Sequence, residues 1–213
     1  MAKADPWPFI HAERKALIAD LEALTDQQWD TPSLCGGWSV RDVVAHMTAE
    51  AKLSAGGFFG SLIASGFRFE SVQAKGIAAE RGSDGADTLN RFREVATSTK
   101  KPPGPVDTML CEVIVHSEDI RRPLGIAHDY PPEWTTRGAD FYRGSNLIIG
   151  GKRRAAGLTF RATDTDWSAG SGPEVTGPAL SILVAVSGRP AALDDLAGEG
   201  LPTLRARMAP REK

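Results

Sequence analysis

The stretch SVRDVVAHMTAEAKL (residues 39–53) reads as an amphipathic helix with a histidine among its apolar positions. Val40, Val43, Val44 and Met47 recur at helical spacing, and Ser39 followed by Asp42 supplies an N-terminal cap and an acidic first turn. His46 sits beside the apolar stripe rather than among the charges. An imidazole there serves as a hydrogen-bonded core residue, a general base or a metal ligand. The stretch holds no second histidine that would decide between them.

A second stretch, CEVIVHSED (residues 111–119), supplies partners. Glu112 and His116 are four apart, so on a helix they project from one face, one turn above the other. Carboxylate oxygen and imidazole nitrogen both suit a zinc ion. The competing reading is an intrahelical pair on a solvated face. Against it stand the apolar Val113, Ile114 and Val115, and His46, which offers a third ligand on another helix. Two histidines and one glutamate with a fourth position open is the pattern of a catalytic zinc site, and facing helices hold such ligands rigidly. Glu50 stands at the same spacing from His46; it is a fourth ligand, a hydrogen-bond acceptor or a charged residue on the flank, and the flank is favoured.

The surrounding chain supports a helical first half. FIHAERKALIADLEAL (9–24) carries an approximate apolar stripe, Thr25 with Gln28 makes a capping-box pair, and TPSLCGGW (31–38) breaks the chain. The helix from residue 39 is expected to reach about Ser65, weakened near Gly56 and Gly57. Shorter helices are expected over 70–80 and 86–98. KKPPGPVD (100–107) is a loop, with Asp107 as N-cap of a helix stopped by Pro123 and Gly125, and a further helix covers 133–149. After GGKRRAAG the composition changes. GLTFRAT, TDWSAG and PEVTG read as three short strands, and PALSILVAVSG and AALDDLAG as two helices. The fold class is therefore α+β: a helical domain over residues 1–150 and a small α+β domain over 151–213.

Composition narrows the function. With 41% hydrophobic and 24% charged residues the chain is an ordinary globular protein, and a net charge of −2 gives no field that favours nucleic acid or a membrane surface. Two cysteines, Cys35 and Cys111, make no disulfide framework. No apolar run reaches the roughly 18 residues of a membrane span, and MAKADPWPFIHAERK lacks the apolar core of a signal peptide. A reduced, cytoplasmic protein is expected, as a monomer or homodimer.

WDTPSLCGGWSVRDVVAHM followed by EVIVHSEDIRRPLG resembles the mycothiol-dependent maleylpyruvate isomerase group of the DinB/YfiT-like superfamily. There a Trp–Pro–Cys–x–Gly–Trp segment leads into a helix with the first histidine ligand, and a later Glu-x-x-x-His-x-x-Asp supplies two more. The resemblance implies a DinB-like four-helix bundle followed by a small SCP2-like α+β domain. It implies His46, Glu112 and His116 as ligands of Zn²⁺ or another divalent ion, and mycothiol as the thiol that attacks an electrophilic small molecule. The activity implied is that of an isomerase or thiol S-transferase. A hydrolase using metal-bound water and a non-catalytic metal-binding regulator are the alternatives.

Asp119 matches the trailing acidic residue of that pattern. It enters as a catalytic-site carboxylate that orients an imidazole, against the alternative of a surface acid paired with Arg122. Arg121 and Arg122 are the cofactor-binding candidates. Cys35 is either a reactive thiol or, by preference, a buried packing residue, and Cys111 belongs to the core. Trp29 and Trp38 are packing anchors, Lys152, Arg153 and Arg154 form a solvated charge run, and His11 and His128 have no suitably spaced partners.

Overall fold

The computed structural model describes residues 4–146 and 149–208, and it divides into two compact units between Ala127 and His128. The first contains α1 (Trp7–Glu22), α2 (Asp26–Trp29), α3 (Val40–Lys52), α4 (Ala55–Ala64), α5 (Phe69–Glu80), α6 (Gly85–Glu94) and α7 (Asp107–Leu124). Four of these close a ring: α1 packs on α6 and α7, and α3 packs on the same two. This is the four-helix bundle. Its interior is apolar, with Leu17 of α1, Val43 and Met47 of α3, Phe92 of α6 and Ile114 of α7 all without exposed surface. Each such side chain contributes roughly 1.5–3 kcal/mol by leaving water.

Local chemistry sets the ends of these helices. The Ser39 backbone N–H donates to Asp42 Oδ2 at 2.9 Å while the Asp42 N–H donates back to Ser39 Oγ, so α3 starts on a reciprocal cap. It stops at Lys52 rather than running on to Ser65. Leu53 is extended, and Ser54 caps a new helix by accepting from the Gly57 N–H at 3.2 Å. The break thus precedes the two glycines by a few residues, because a serine cap competes with helix continuation. Asp107 lies inside the first turn of α7, with Val106 at the cap. At the other end Gly125 adopts φ +69°, a left-handed conformation that lets the last turn close on itself.

Gly85, at the start of α6, is required by a close approach. A Cβ there would lie 2.5 Å from Cδ1 and Nε1 of the buried Trp29 indole. Gly85→Ala is expected to lower stability by about 1–3 kcal/mol through overpacking. Chemical denaturation followed by tryptophan fluorescence checks it, and an unchanged midpoint would contradict it.

The second unit contains α8 (Pro132–Gly144), α9 (Gly151–Ala155), β1 (Thr159–Ala162), β2 (Ser168–Gly170), β3 (Glu174–Gly177), α10 (Ala179–Val186), a 3-10 turn over Pro190–Asp195 and α11 (Leu201–Ala206). The strand order is β2-β1-β3: β1 and β2 pair antiparallel, and β3 joins the other edge of β1 in parallel, with Phe160 beside Val175. Both of those side chains are buried, and α10 packs against β1 and β3. The three expected strands are present. The expected helix over 191–198 is a 3-10 turn instead, while α9 and α11 were not foreseen. The helix expected over 133–149 ends at Gly144, and residues 147 and 148 lie outside the described residues.

The division between units falls earlier than residue 150. The composition change marks where strands begin, whereas α8 packs on α9 and α10 and so groups with the second unit. The bundle takes α6 as its fourth helix. In the basic run, Lys152 and Arg153 are exposed, but the Arg154 Nε donates to the Val186 carbonyl at 2.8 Å, at the C-terminal end of α10 where a cation is favoured. No helix among the described residues is long and apolar enough to cross a membrane.

Candidate metal centre

α3 and α7 are neighbours in the bundle, and their packing brings two imidazoles together. The rings of His46 and His116 lie 4.9 Å apart between centroids and are nearly perpendicular, at 81°. A zinc ion bonded to a ring nitrogen at 2.0–2.1 Å lies roughly 3.2 Å from the ring centre, so two imidazoles on one tetrahedral ion have centroids about 5 Å apart. The observed separation is that of a T-shaped ring pair and also leaves room for a shared ion. His46 is buried, and Trp38 packs against it at 5.0 Å.

Glu112 stands one turn before His116 and is buried. Neither of its carboxylate oxygens finds a hydrogen-bond donor among the described residues. Burial pushes its carboxyl up to about 8; the nearby Arg14 guanidinium counteracts this in part, and the Glu50 carboxylate adds to it. A buried carboxylate without a hydrogen-bond donor is costly, and proteins that keep one pair it or coordinate a cation with it. Two imidazoles beside such a carboxylate form a donor set that suits a divalent ion. His46, Glu112 and His116 therefore fit a metal by the chemistry of their donors, while among the described residues it is Cys35, His116 and Asp119 that bring three ligand atoms within 4.8 Å of one another.

Asp119 is fully buried and accepts from His116 Nδ1 at 2.8 Å. With Nδ1 held by a carboxylate, the other ring nitrogen is the one left for a metal. The alternative of a surface acid paired with Arg122 is corrected: Arg122 pairs with Glu118 at 2.9 Å. With no exposed surface and a hydrogen bond to His116 Nδ1, Asp119 stands where the expected carboxylate that orients an imidazole would be.

Cys35 is not simple packing. Its thiol donates to Asp119 Oδ2 at 3.0 Å and lies 3.8 Å from His116 Nδ1. Cys35, His116 and Asp119 thus form a second donor set whose atoms lie within 4.8 Å of one another. Ligands sharing one zinc at 2.0–2.1 Å stand roughly 3.3 Å apart. The 2.8 Å between His116 and Asp119 is shorter, so this cluster has the dimensions of a hydrogen-bonded group.

Arg121 is turned away. It follows Glu112 by nine residues, which puts it on the opposite side of α7. It has no exposed surface, and it pairs with Asp20 at 2.7 Å and Glu13 at 3.7 Å, both on α1. Arg121, expected as a cofactor-binding candidate, lies here as a tie between α7 and α1. Arg122 remains partly exposed in its pair with Glu118.

Glu50 is the residue the sequence reading undervalued. It lines a cavity of about 350 Å³ together with His46, and burial raises its carboxyl to about 7. Ser61 of α4, Ser65 just past its end, and Val72, Gln73 and Lys75 of α5 also line the cavity. The signal for Glu50 was its four-residue spacing from His46. Nothing in the sequence could have joined Cys35 to Asp119, 84 positions away.

Residues 10–101 match the family described as the mycothiol maleylpyruvate isomerase N-terminal domain. No curated protein matches the chain. Two solved structures of the mycothiol-dependent maleylpyruvate isomerase share the fold. One is a histidine-to-alanine mutant, with a TM-score of 0.63; the other has a TM-score of 0.61. In both comparisons identity is 15% and 91% of each chain is covered. Over residues 10–101 the chain is thus similar to the mycothiol maleylpyruvate isomerase N-terminal domain, and it shares its fold with that enzyme along most of its length.

Proposed function

We propose that this protein is a metal-dependent, thiol-using enzyme that joins mycothiol, or a similar low-molecular-weight thiol, to an electrophilic small molecule, as an isomerase or an S-transferase. The observation that carries this reading is the convergence of His46 and His116 beside a buried Glu112 carboxylate without a donor. The matched domain family and the enzyme with the same fold supply the thiol and the reaction class. His46, Glu112 and His116 would hold the ion. A zinc ion with a free vertex would lower the pKa of a bound thiol and so make it nucleophilic near neutral pH.

The chain's own residues do the rest. Asp119 fixes the orientation of the His116 ring. Glu50 places a carboxylate at the His46 end of the cavity, where a thiol arriving in its neutral form has an acceptor for its proton. The cavity has room for a small substrate but is modest beside typical ligand pockets, so it selects for a compact electrophile.

Metal content followed by turnover tests the reading. Purified protein is expected to hold about one divalent ion per chain and to conjugate mycothiol to members of a panel of activated alkenes. Stripping the ion with a chelator is expected to cut turnover more than about tenfold, and zinc to restore it. Turnover indifferent to metal removal would overturn the proposal.

A further inference from the structure

The loop between α2 and α3 touches both imidazoles. Trp38 packs against His46, and Cys35 reaches His116 through Asp119. The loop is held stiffly. Ser33 Oγ accepts from the Cys35 N–H and donates to the Trp38 carbonyl, and the Trp38 N–H donates to the Cys35 carbonyl. Gly37, at φ +83°, makes the turn that this closure needs.

The docking of this loop on α7 follows from a proline. Pro123 lies in the last turn of α7 and has no N–H to donate to the residue four before it, which is Asp119. The Asp119 carbonyl is thereby free for a donor from outside the helix, and the Leu34 N–H takes it at 3.1 Å. Asp119 is gripped twice by neighbouring loop residues, at its backbone by Leu34 and at its carboxylate by Cys35.

We propose that Cys35 is a positioning residue for the metal centre: its thiol fixes the Asp119 carboxylate, which in turn holds His116 Nδ1 and aims the opposite ring nitrogen at the metal position. The thiol acts as a hydrogen-bond donor and is neither a ligand nor a nucleophile. This rests on the reading of His116 as a metal ligand. Groups that orient metal-bound histidines typically change affinity by about 10–100-fold when removed. Cys35, one bond further out, is expected at the lower end of that range.

Zinc affinity measured by competition with a chromophoric chelator tests it, on wild type, Cys35→Ala and Cys35→Ser. Cys35→Ala is expected to weaken binding about tenfold, and Cys35→Ser, which keeps a hydroxyl donor, to recover most of the loss. Long-range ¹H–¹⁵N spectra of the metal-free proteins give a readout that loss of packing alone would not move. His116 is expected as a single Nδ1–H tautomer in wild type and Cys35→Ser, and as a tautomer mixture in Cys35→Ala. Unchanged affinity and tautomer in Cys35→Ala would overturn the proposal.

So would loss of binding in both variants together with a sulfur-to-metal charge-transfer band in cobalt-substituted wild type, because Cys35 would then be a ligand. Wild type that binds no zinc but shows the tautomer pattern would sink the metal reading while leaving the hydrogen-bond relay in place. Wild type lacking both would sink the two together.

Discussion

Metal-free protein is expected to lose stability as the pH rises from about 5 to 8, the reverse of the behaviour of a protein held by salt-bridged carboxylates. The cause is Glu112, with Glu50 beside it. Burial raises Glu112 from 4.5 to about 8 and Glu50 to about 7. Between the unfolded and folded values the native state holds protons that the unfolded state has released, so raising the pH favours unfolding. The stability is fully present below about 4.5 and is lost as the pH climbs to about 8. Each unit of upward shift corresponds to about 1.4 kcal/mol, so Glu112 alone accounts for on the order of a few kcal/mol, and Glu50 adds to it.

A bound divalent ion inverts this dependence, because it takes the deprotonated carboxylate and binds more tightly as the pH rises. An ion present at about a thousand times its dissociation constant adds about 4 kcal/mol. Melting curves of chelator-treated and zinc-loaded protein between pH 5 and 8 are therefore expected to diverge, with the largest gap at pH 8. Glu112→Gln supplies the control. Its neutral amide is expected to flatten the metal-free slope and make the chelated variant more stable than chelated wild type at pH 8. A wild-type melting temperature that rises over this range without metal would contradict the burial argument.

Helix periodicity made most of the bundle legible, because a helix buried on one side writes its contacts into a regular pattern. Val40, Val43, Val44 and Met47 of α3 all lie in the core, as their spacing required. The spacing of Glu112 and His116 was equally readable, since one turn of helix separates them. What the sequence hid is contact between distant segments. Cys35 looked like packing because no local pattern reveals that its thiol reaches Asp119. Arg121 looked available for a ligand because nothing local states that α7 turns this side toward Asp20 and Glu13 of α1. The grouping of α8 was hidden for the same reason. Its sequence says helix, but its partner, α10, lies beyond the sheet in the chain.

His46 is the position where assembly of the centre from separate helices is tested most directly. His116 and Glu112 share α7 and would remain together in almost any fold that keeps the helix, so their proximity demonstrates little. His46 belongs to α3 and reaches His116 only because the bundle pairs α3 with α7. His46→Ala is expected to lower zinc affinity by more than about 100-fold, beyond the range for groups that only orient a ligand. Zinc content after gel filtration is then expected to fall from stoichiometric to trace. The metal-free variant is expected to keep the wild-type circular dichroism spectrum, since His46 packs between Trp38 and His116 rather than in the apolar interior. His46→Gln, which preserves more of the volume, separates loss of a ligand from loss of packing: both variants should lose metal, and only alanine should loosen Trp38 fluorescence. Stoichiometric zinc in both would place the ion elsewhere, and Cys35, His116 and Asp119 would become its holders.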